Sequence, residues 1–266
     1  MIIIGEKINS TIKSIMSAIE SQDTAFIKKL AKDQHEAGAQ YIDVNAGMFL
    51  DEEPEKLAWL IETIQSDCSA PFSIDSPNSK ALLAGLKANK NGKPIINSIT
   101  DEKNRYDSVL PLAVEYNARV IALCMDDKGM PETVKDRVII AARLIDKLTK
   151  SGINIGDIFI DPMVRPIGTG SQFGNVAIET IRTIKTEYPE AHIACGLSNI
   201  SFGIPARKVM NQAFLIAAMS AGMDGAILDP LDKRLMTFLY AGEALFGHDE
   251  YCMDFLTKYR EGELEL

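Results

Sequence analysis

Short runs of apolar, often β-branched residues recur along the chain, and each is followed by a longer stretch whose apolar positions repeat with helical spacing. This alternation is typical of repeated strand–helix units. Eight strands are predicted: Ile2–Gly5, Tyr41–Val44, Pro71–Ile74, Pro94–Ile96, Val120–Leu123, Ile158–Ile160, His192–Gly196 and Gly225–Leu228. Because these strands are short and almost wholly apolar, we expect them to be buried on both faces of a parallel sheet.

The stretches between the strands carry helix boundary signals. The predicted helices are Thr24–Ala37, Pro54–Gln65, Ser79–Asn89, Thr133–Lys150, Val176–Glu187, Arg207–Ser220 and Lys233–Leu245. Gly38, Gly152 and Gly222 lie where a helix end favours a left-handed residue, and Asp23 and Ser79 lie where a helix start favours a side-chain acceptor. These signals support alternating strands and helices over the whole chain.

Eight units in 266 residues, with no linker or shift in composition, fit one domain. A single (β/α)8 TIM barrel of the α/β class over residues 1–266 is the economical interpretation, because this fold typically takes ~250 residues. A doubly wound open sheet is the alternative, although it rarely needs eight regular units.

Composition narrows the function classes. The chain has 28 Lys+Arg against 37 Asp+Glu, a net charge of −9, and a pI near 5.0. This balance argues against nucleic acid or an anionic membrane surface as a primary partner. The start MIIIGEKINS does not resemble a signal peptide, and no apolar run approaches a membrane span of roughly 18 residues. We therefore expect a cytoplasmic protein that neither binds nucleic acid nor enters a membrane.

Polar residues follow nearly every predicted strand. They are Glu6, Asp43, Asn45, Asp75, Asn97, Asp161, Ser198, Asn199 and Asp229, and Gly196 ends strand 7. In a TIM barrel the carboxyl ends of the strands surround the active site. A helix cap or a turn is about as good an explanation for any one of these residues, but less so for the whole set.

The residue types at the strand ends select among chemistries. Histidine, Ser-His pairs and lysine are absent from the predicted rim, so covalent mechanisms lack their base or amine. Asp43, Asp75 and Asp161 could hold Mg²⁺, but the asparagines among them are better hydrogen-bonding groups than anionic ligands, and we predict no metal. A carboxylate accepts two parallel N–H bonds and a carboxamide both donates and accepts. The set therefore suits a flat neutral heterocycle such as a pterin.

Seven short motifs carry a resemblance to a known family. They are GEKIN at 5–9, DVN at 43–45, IDS at 74–76, INS at 96–98, IDP at 160–162, GLSN at 196–199 and AGMDGAI at 221–227. Together they resemble the pterin-binding methyltransferases: the methyltetrahydrofolate:corrinoid protein methyltransferases and the folate domain of cobalamin-dependent methionine synthase. The resemblance implies a homodimeric pterin-binding barrel that moves a methyl group between N5 of tetrahydrofolate and the cobalt of a corrinoid supplied by a partner protein.

The resemblance also implies roles for individual residues. Asp161 would accept from the 2-amino group and N3–H, Asn97 would contact the N1/N8 edge, and Asp75 would lie on the same side of the ring. Asn199 would approach N5 and stabilise it as the methyl group leaves, which makes Asn199 and Asp75 the catalytic candidates. The other motif residues at the strand ends, including Glu6 and Ser198, would line the substrate site.

Two other functions stay open. Dihydropteroate synthase shares the expected fold, but it is expected to carry a lysine after strand 7 and Arg-x-His near strand 8, where this chain has LSN and LDP. A non-catalytic folate-binding module is the rival from another class, and it would not need Asn199 beside N5.

Three further features have competing readings. Asp33-x-His35-x-x-Gly38 matches a corrinoid-carrier motif, but it falls on a predicted helix, so a surface histidine is favoured. The glycines between 168 and 174 favour a flexible lid after strand 6. Arg165 and Arg207 are candidates to bind the p-aminobenzoyl-glutamate tail, or else solvated charges.

Overall fold

The computed structural model describes residues 1–265, in which eight parallel strands close a barrel in chain order, β1 to β8. The strands are β1 Ile2–Asn9, β2 Tyr41–Asn45, β3 Phe72–Asp75, β4 Ile95–Thr100, β5 Arg119–Leu123, β6 Ile158–Asp161, β7 His192–Gly196 and β8 Gly225–Leu228. The predicted TIM barrel is confirmed, and the doubly wound alternative is wrong because β1 pairs with both β2 and β8. Leu266, the last residue of the predicted domain, lies outside the described residues.

Two strands continue four residues beyond their predicted ends, and both contain candidate residues. β1 continues from Gly5 to Asn9 with a register shift between Gly5 and Ile8. β4 continues to Thr100, with a shift between Asn97 and Ile99. Glu6 and Asn97 thus lie within irregular strands, where an extra residue redirects neighbouring side chains.

The helices surround the barrel. They are α1 Lys13–Glu20, α2 Thr24–Glu36, α3 Glu53–Gln65, α4 Ser79–Ala88, α5 Lys103–Glu115, α6 Val134–Lys150, α7 Phe173–Glu187, α8 Arg207–Ser220, α9 Lys233–Leu245 and α10 Met253–Arg260. Helix α5 carries Pro111 in its interior, which is unfavourable for a helix and weakens its sequence signal. None of the helices in residues 1–265 has the length and apolar character needed to cross a bilayer.

The predicted boundary residues are confirmed except at Ser79, and α7 begins at Phe173, three residues before its predicted start at Val176. Gly38, Gly152 and Gly222 all adopt positive φ angles after their helices. Asp23 caps α2 by accepting from the N–H of Phe26. The expectation for Ser79 is wrong, because the preceding residue, Asn78, caps α4 through its own side chain. An asparagine carbonyl reaches the first-turn N–H groups as well as a serine hydroxyl does.

Two separate apolar cores follow from the two faces of the strands. The outward-facing residues pack against the helices and form the larger core. The inward-facing residues fill the barrel, with Ile4, Tyr41, Ile95, Ile121, Phe159 and Ala194 at its centre. Side chains alternate along a strand, so the residue two positions after each of these also points into the barrel. Those positions are Glu6, Asp43, Asn97, Leu123, Asp161 and Gly196.

Candidate active site

The polar ends of β2, β3 and β4 lie side by side at one end of the barrel. Asn45 pairs in register with Asp75, and Asp75 pairs in register with Asn97. Two residues earlier on the same strands, and so deeper in the barrel, Asp43 pairs with Ser73. The three adjacent strands therefore bring four of the candidate residues into contact, as the sequence predicted for a barrel mouth.

Asp43 lies at the bottom of this group, 3% exposed. Its Oδ1 accepts from the Ser73 hydroxyl at 2.6 Å and from the Asn97 amide at 3.1 Å. Burial, together with the neighbouring Asp75, raises the pKa of Asp43 well above its usual range. Because one of its oxygens is already engaged twice, Asp43 is placed to orient the Asn97 carboxamide from below.

Asn45 orients Asp75 in a parallel way. The Asn45 amide donates to Oδ2 of Asp75 at 2.9 Å. Its carbonyl oxygen accepts from the Ser10 hydroxyl and from the N–H of Gly47, both at 3.0 Å. These bonds fix which end of the carboxamide faces the carboxylate, since only the NH₂ end can donate.

Asp75 titrates close to the physiological range. Burial raises its pKa to about 6, and Glu53 adds to the effect, while Asn45 and Arg105 oppose it. Both oxygens of an ionised Asp75 could accept hydrogen bonds from a ligand or from neighbouring amides. A carboxyl with this pKa at a barrel mouth is a candidate for a functional role.

Asp161 lies at the end of β6 and is 8% exposed. Its Oδ1 accepts from the N–H of Met163 at 2.7 Å, and Met163 has a positive φ of 62°. Burial raises the pKa of Asp161 to about 6, while the N–H groups of Met163 and Gly196 and the charge of Arg137 lower it. The loop therefore turns back on itself to support this carboxylate.

Asn199 is exposed on a short 3₁₀ helix, Leu197–Ser201, directly after β7. Its amide lies against Gly196: a Cβ added there would be 3.0 Å from Nδ2 of Asn199. Glycine at the end of β7 therefore leaves room for Asn199 to lie over the barrel mouth. This arrangement is compatible with the predicted approach of Asn199 to a bound ring.

Arg207 braces that short helix. Its Nη2 donates to the carbonyl of Ser198 at 2.9 Å, and its Nε donates to the Ser201 hydroxyl at 3.1 Å. Arg207 also lies 5.9 Å from the centre of the Phe202 ring. Its hydrogen bonds favour support of the Asn199 loop over the tail-binding role that the sequence raised, which stays a prediction.

Glu6 and Ser198 share a polar cavity of about 220 Å³ between β1, β8 and α8, which Asp229 also lines. Burial raises the pKa of Glu6 to about 7, and the nearby Asp229 adds to the effect. Lys7, Arg207 and a hydrogen bond with Ser198 act in the opposite direction. Glu6 is thus close to half-ionised at neutral pH.

The expectation that lysine is absent from the rim is wrong. Lys7 lies on the irregular part of β1, and its Nζ donates to Oδ2 of Asp229 at 2.9 Å. The apolar run that predicts this strand ends at Gly5, so Lys7 was expected to lie beyond the strand. Because its ammonium is engaged by a carboxylate, Lys7 does not supply the neutral amine that a Schiff-base mechanism needs.

Arg165 lies in the loop after β6. Its guanidinium stacks 4.0 Å from the centre of the Phe173 ring, and Nη1 contacts Glu132 at 3.2 Å. A Cβ at Gly170 would lie 2.6 Å from the same ring. The loop is packed against the start of α7 in this conformation, so its role as a lid stays a prediction.

Several residues around the site gave no signal in the sequence. Glu53 is buried at the start of α3 and accepts from the Ser76 hydroxyl at 2.6 Å. Arg105 and Arg137 lie on α5 and α6, five residues after the end of β4 and 14 residues after the end of β5. Only the tertiary fold brings these helix residues under the loops of the mouth.

In residues 1–265 no group of three or more His, Cys, Asp or Glu side chains is arranged to hold a metal ion. His35 lies in the last turn of α2, where its Nδ1 is 2.9 Å from the carbonyl of Ala39. The corrinoid-carrier motif thus falls on a helix, as the sequence analysis expected.

Comparison with known proteins agrees with this geometry. The sequence profile of the family described as pterin binding enzyme matches residues 5–229. The chain is 40% identical over 268 residues to a methylcorrinoid:tetrahydrofolate methyltransferase from Eubacterium limosum, covering 99% of this chain and 98% of that protein. It is 32% identical over 241 residues to the methionine synthase of Mycobacterium tuberculosis, of which it covers 20%.

A solved structure also has this fold. The chain is similar to 7,8-dihydropteroate synthase from Vibrio fischeri ES114 with a TM-score of 0.72, covering 92% of this chain and 93% of that one. At 18% sequence identity this likeness concerns the fold alone.

Proposed function

The chain belongs to the pterin-binding enzyme family, and from this premise we propose that it is a methyltransferase acting between N5 of tetrahydrofolate and the cobalt of a protein-bound corrinoid. The observation that carries the proposal is the 40% identity, over nearly the whole of both chains, to a methyltransferase with these two substrates in its name. The corrinoid, supplied by a partner protein, provides the metal that takes or gives the methyl group.

The mouth of the barrel suits the pterin. An ionised Asp161 accepts from the 2-amino group and N3–H, and Asn97 pairs with the N1/N8 edge. Asp43 supports this pairing, because its bond to Nδ2 of Asn97 leaves the second amide hydrogen and the carbonyl oxygen of Asn97 for the ligand. Asp75, held by Asn45, lies beside Asn97 in register and meets the same side of the ring.

Asn199 acts on the reacting nitrogen. An amine anion is a poor leaving group, so N5 must gain a proton or a hydrogen bond as the methyl group departs. The exposed carboxamide of Asn199 supplies a donor whose bond strengthens as charge develops on N5, which lowers the barrier without a strong acid. Gly196 and Arg207 support this role by leaving space for Asn199 and bracing its loop.

The dihydropteroate synthase alternative is less well supported. That reaction expels pyrophosphate, and barrel phosphate sites usually lie in the loops after strands 7 and 8. Here Ser198 and Asn199 follow β7, while Asp229 follows β8 and Glu6 lies next to it. The cations beside them are already engaged, Lys7 by Asp229 and Arg207 by the Ser198 carbonyl and the Ser201 hydroxyl, which disfavours a polyanionic leaving group here.

A methyl-transfer assay tests the proposal against both alternatives. The full chain is mixed with free cob(I)alamin and 5-methyltetrahydrofolate, and methylcobalamin formation is followed by absorbance. Catalysed transfer supports the methyltransferase. Tight binding of methyltetrahydrofolate without transfer would support the folate-binding module, and condensation of a pterin pyrophosphate with p-aminobenzoate would support the synthase.

We also propose that the protein is a cytoplasmic homodimer, as the sequence resemblance implies. Exposed apolar side chains on α9, α10 and the segment between them support a self-association surface: Leu245, Tyr251, Met253 and Tyr259 are each more than half exposed. The free cysteines, of which Cys68, Cys124 and Cys195 are buried, fit a reducing compartment. Light scattering tests the dimer: it should give twice the chain mass of 29.2 kDa, and a monomer would contradict it.

A further inference from the structure

Arg105 on α5 reaches back under two loops of the barrel mouth. Its Nη2 donates to the carbonyl of Ser76 at 2.7 Å, and its Nε donates to the carbonyl of Ser98 at 3.0 Å. A third bond runs from Nη1 to the carbonyl of Pro77 at 2.6 Å. Since Ser76 follows Asp75 and Ser98 follows Asn97, one guanidinium joins the segments that carry two of the pterin-binding residues.

Arg137 on α6 makes a matching contact on the other side of the mouth. It is fully buried, and its Nη1 donates to the carbonyl of Pro162 at 2.9 Å. Its Nε donates to the carbonyl of Pro131 at 3.2 Å. Pro162 directly follows Asp161, so this guanidinium joins the loop of the third pterin-binding residue to the loop after β5.

Neither arginine forms an ion pair within residues 1–265, and Nη2 of Arg137 has no hydrogen-bond partner there. A buried guanidinium bound to neutral carbonyls costs desolvation free energy that hydrogen bonds only partly offset. An apolar side chain of similar volume would fill the same space at lower cost. Arg137 is fully buried and Arg105 is half-buried, so each guanidinium loses hydration at a place where its charge acts on a neighbouring aspartate.

The charged groups around Asp75 explain the positive charge of Arg105. Asp43 faces Asp75 from β2 and Glu53 faces it from α3, and both disfavour a second negative charge. Arg105 is the cation that opposes them from α5, with Glu102 near its own guanidinium. Without Arg105, only the amide of Asn45 would offset the burial of Asp75 and the negative charge of Glu53.

The surroundings of Asp161 are less polar than those of Asp75. The buried thiols of Cys124 and Cys195 face it from the end of β5 and from β7. Arg137 faces it from α6, while Arg165 in the loop after β6 acts on Arg137 in turn. Here burial disfavours the carboxylate, and Arg137 offsets this effect.

We propose that Arg105 and Arg137 are positioning residues that hold Asp75 and Asp161 at the mouth and keep both in the carboxylate form that accepts the N–H groups of the pterin. This inference rests on the proposed function. Neither arginine touches the substrate; each acts through the loop carbonyl beside its aspartate and through its charge.

The consequence is a specific pH dependence. The pKa of Asp75 and that of Asp161 are each raised to about 6, and each arginine lowers the pKa of its aspartate. In the wild type, binding of methyltetrahydrofolate should weaken as the pH falls through about 6, because the protonated carboxyl loses an acceptor. Removing an arginine raises the pKa of the aspartate, so the weakening should begin at a higher pH.

The experiment measures the dissociation constant of 5-methyltetrahydrofolate for the full chain from about pH 5 to about pH 9. Arg105→Gln, which keeps polar donors but removes the charge, should bind within about threefold of wild type near pH 9. Near pH 6 it should bind about fivefold or more weakly than wild type, as follows when a carboxyl pKa rises by about one unit. Equal weakening at every pH, or no change, would overturn the proposal.

Two matched variants separate the effect of the Arg105 charge from the effect of its hydrogen-bonding geometry. Arg105→Lys keeps the charge but loses the planar fork, so it should keep the wild-type pH profile with weaker binding overall. Arg119→Gln removes an arginine from the opposite end of the barrel, where it bonds Tyr41 and Asp157, and should not move the profile.

Arg137→Met, an apolar replacement of similar length, should shift the profile in the same direction as Arg105→Gln, with folding checked by circular dichroism. If Arg137→Met does not fold, Arg105→Gln alone decides the proposal. A wild type that binds no methyltetrahydrofolate at any pH would contradict the proposed function itself, which distinguishes the two failures.

Discussion

Asp224 and Asp161 lie at opposite ends of the barrel, and their surroundings have opposite effects on their pKa values. At the amino ends of the strands, Asp224 receives bonds from Lys185 at 2.8 Å, from His192 at 3.0 Å and from the N–H of Ile193 at 2.8 Å. Although burial acts to raise it, these bonds lower the pKa of Asp224. At the carboxyl ends, burial raises the pKa of Asp161 to about 6, and two backbone N–H groups and Arg137 only partly oppose it.

We infer from this difference that the end with Asp224 stabilises the fold and that the end with Asp161 binds the ligand. The end with Asp224 carries ion pairs, including Arg119 with Asp157 and Lys185 with Asp224. At the other end Asp43 and Asp75 adjoin each other and the amides of Asn45 and Asn97. Their remaining acceptor positions can therefore bind a ligand. Sites of this kind reduce stability in exchange for pre-organised binding.

The largest expected effect comes from removing the main acceptor at the functional end. Asp161→Ala should abolish measurable binding of methyltetrahydrofolate, since two buried donors without acceptors cost ~1–3 kcal/mol each, or roughly 30-fold to 10⁴-fold in affinity. Isothermal titration calorimetry checks this. Wild-type affinity in the variant would refute the assignment of Asp161 to the pterin.

Asn199→Ala should separate catalysis from binding at the same end. The loss of one pre-organised donor to N5 should lower the methyl-transfer rate by roughly 10²–10³. Affinity should change much less, because Asp75, Asn97 and Asp161 still hold the pterin. Rapid-mixing kinetics, with binding measured separately, tests this, and weaker binding with an unchanged maximal rate would make Asn199 a simple binding contact.

The maximal rate of methyl transfer, measured with saturating substrate, should also rise as the pH falls toward the protonation range of N5. Asn199→Ala should alter that dependence. An unchanged pH profile in Asn199→Ala would argue against its role at N5.

Asp224→Asn tests the opposite end of the barrel. It should lower the free energy of unfolding by about 1–2 kcal/mol at neutral pH while leaving methyl transfer unchanged, because the lost bonds to Lys185 and His192 are far from the mouth. The lowered pKa of Asp224 means that its stabilisation is present above about pH 4 and lost as the pH falls further. Urea unfolding at several pH values measures this. A loss of activity without a loss of stability would contradict the stabilising role of Asp224.

Asp161→Asn should have the opposite effect on stability. Because the folded state raises the pKa of Asp161 from an ordinary value near 4 to about 6, the ionised carboxyl disfavours folding above that pH by roughly 2–3 kcal/mol. The amide keeps the acceptor for Met163 without the charge, so the variant should be more stable than wild type at pH 8. The gain should vanish near pH 4, and thermal unfolding at both pH values checks this.

Chelation should have the smallest effect. Since residues 1–265 hold no group of three or more His, Cys, Asp or Glu side chains arranged to bind a metal ion, the purified protein should be colourless and should keep its activity after treatment with a chelator. A stoichiometric transition metal, or a corrinoid spectrum that persists through gel filtration, would contradict this prediction.

The sequence by itself determined the barrel and most of the mouth. The apolar runs and helical repeats predicted eight units because strands buried on both faces must be apolar and the helices between them amphipathic. β7, β8, α8 and α9 have the predicted limits. The polar residues of the mouth could be found because each directly follows such a run, and the family motifs named the roles that the experiments above test.

Only the tertiary structure decided which groups surround each carboxyl. The bond from Asn97 to Asp43 joins residues 54 positions apart, and Arg105 and Arg137 come from helices whose sequences carry no sign of the mouth. The bond from Lys7 to Asp229 joins residues 222 positions apart, and Lys7 lies where the pairing of β1 with β2 shifts register. A pKa depends on burial and on the charges that the fold brings close, so residue spacing cannot give it.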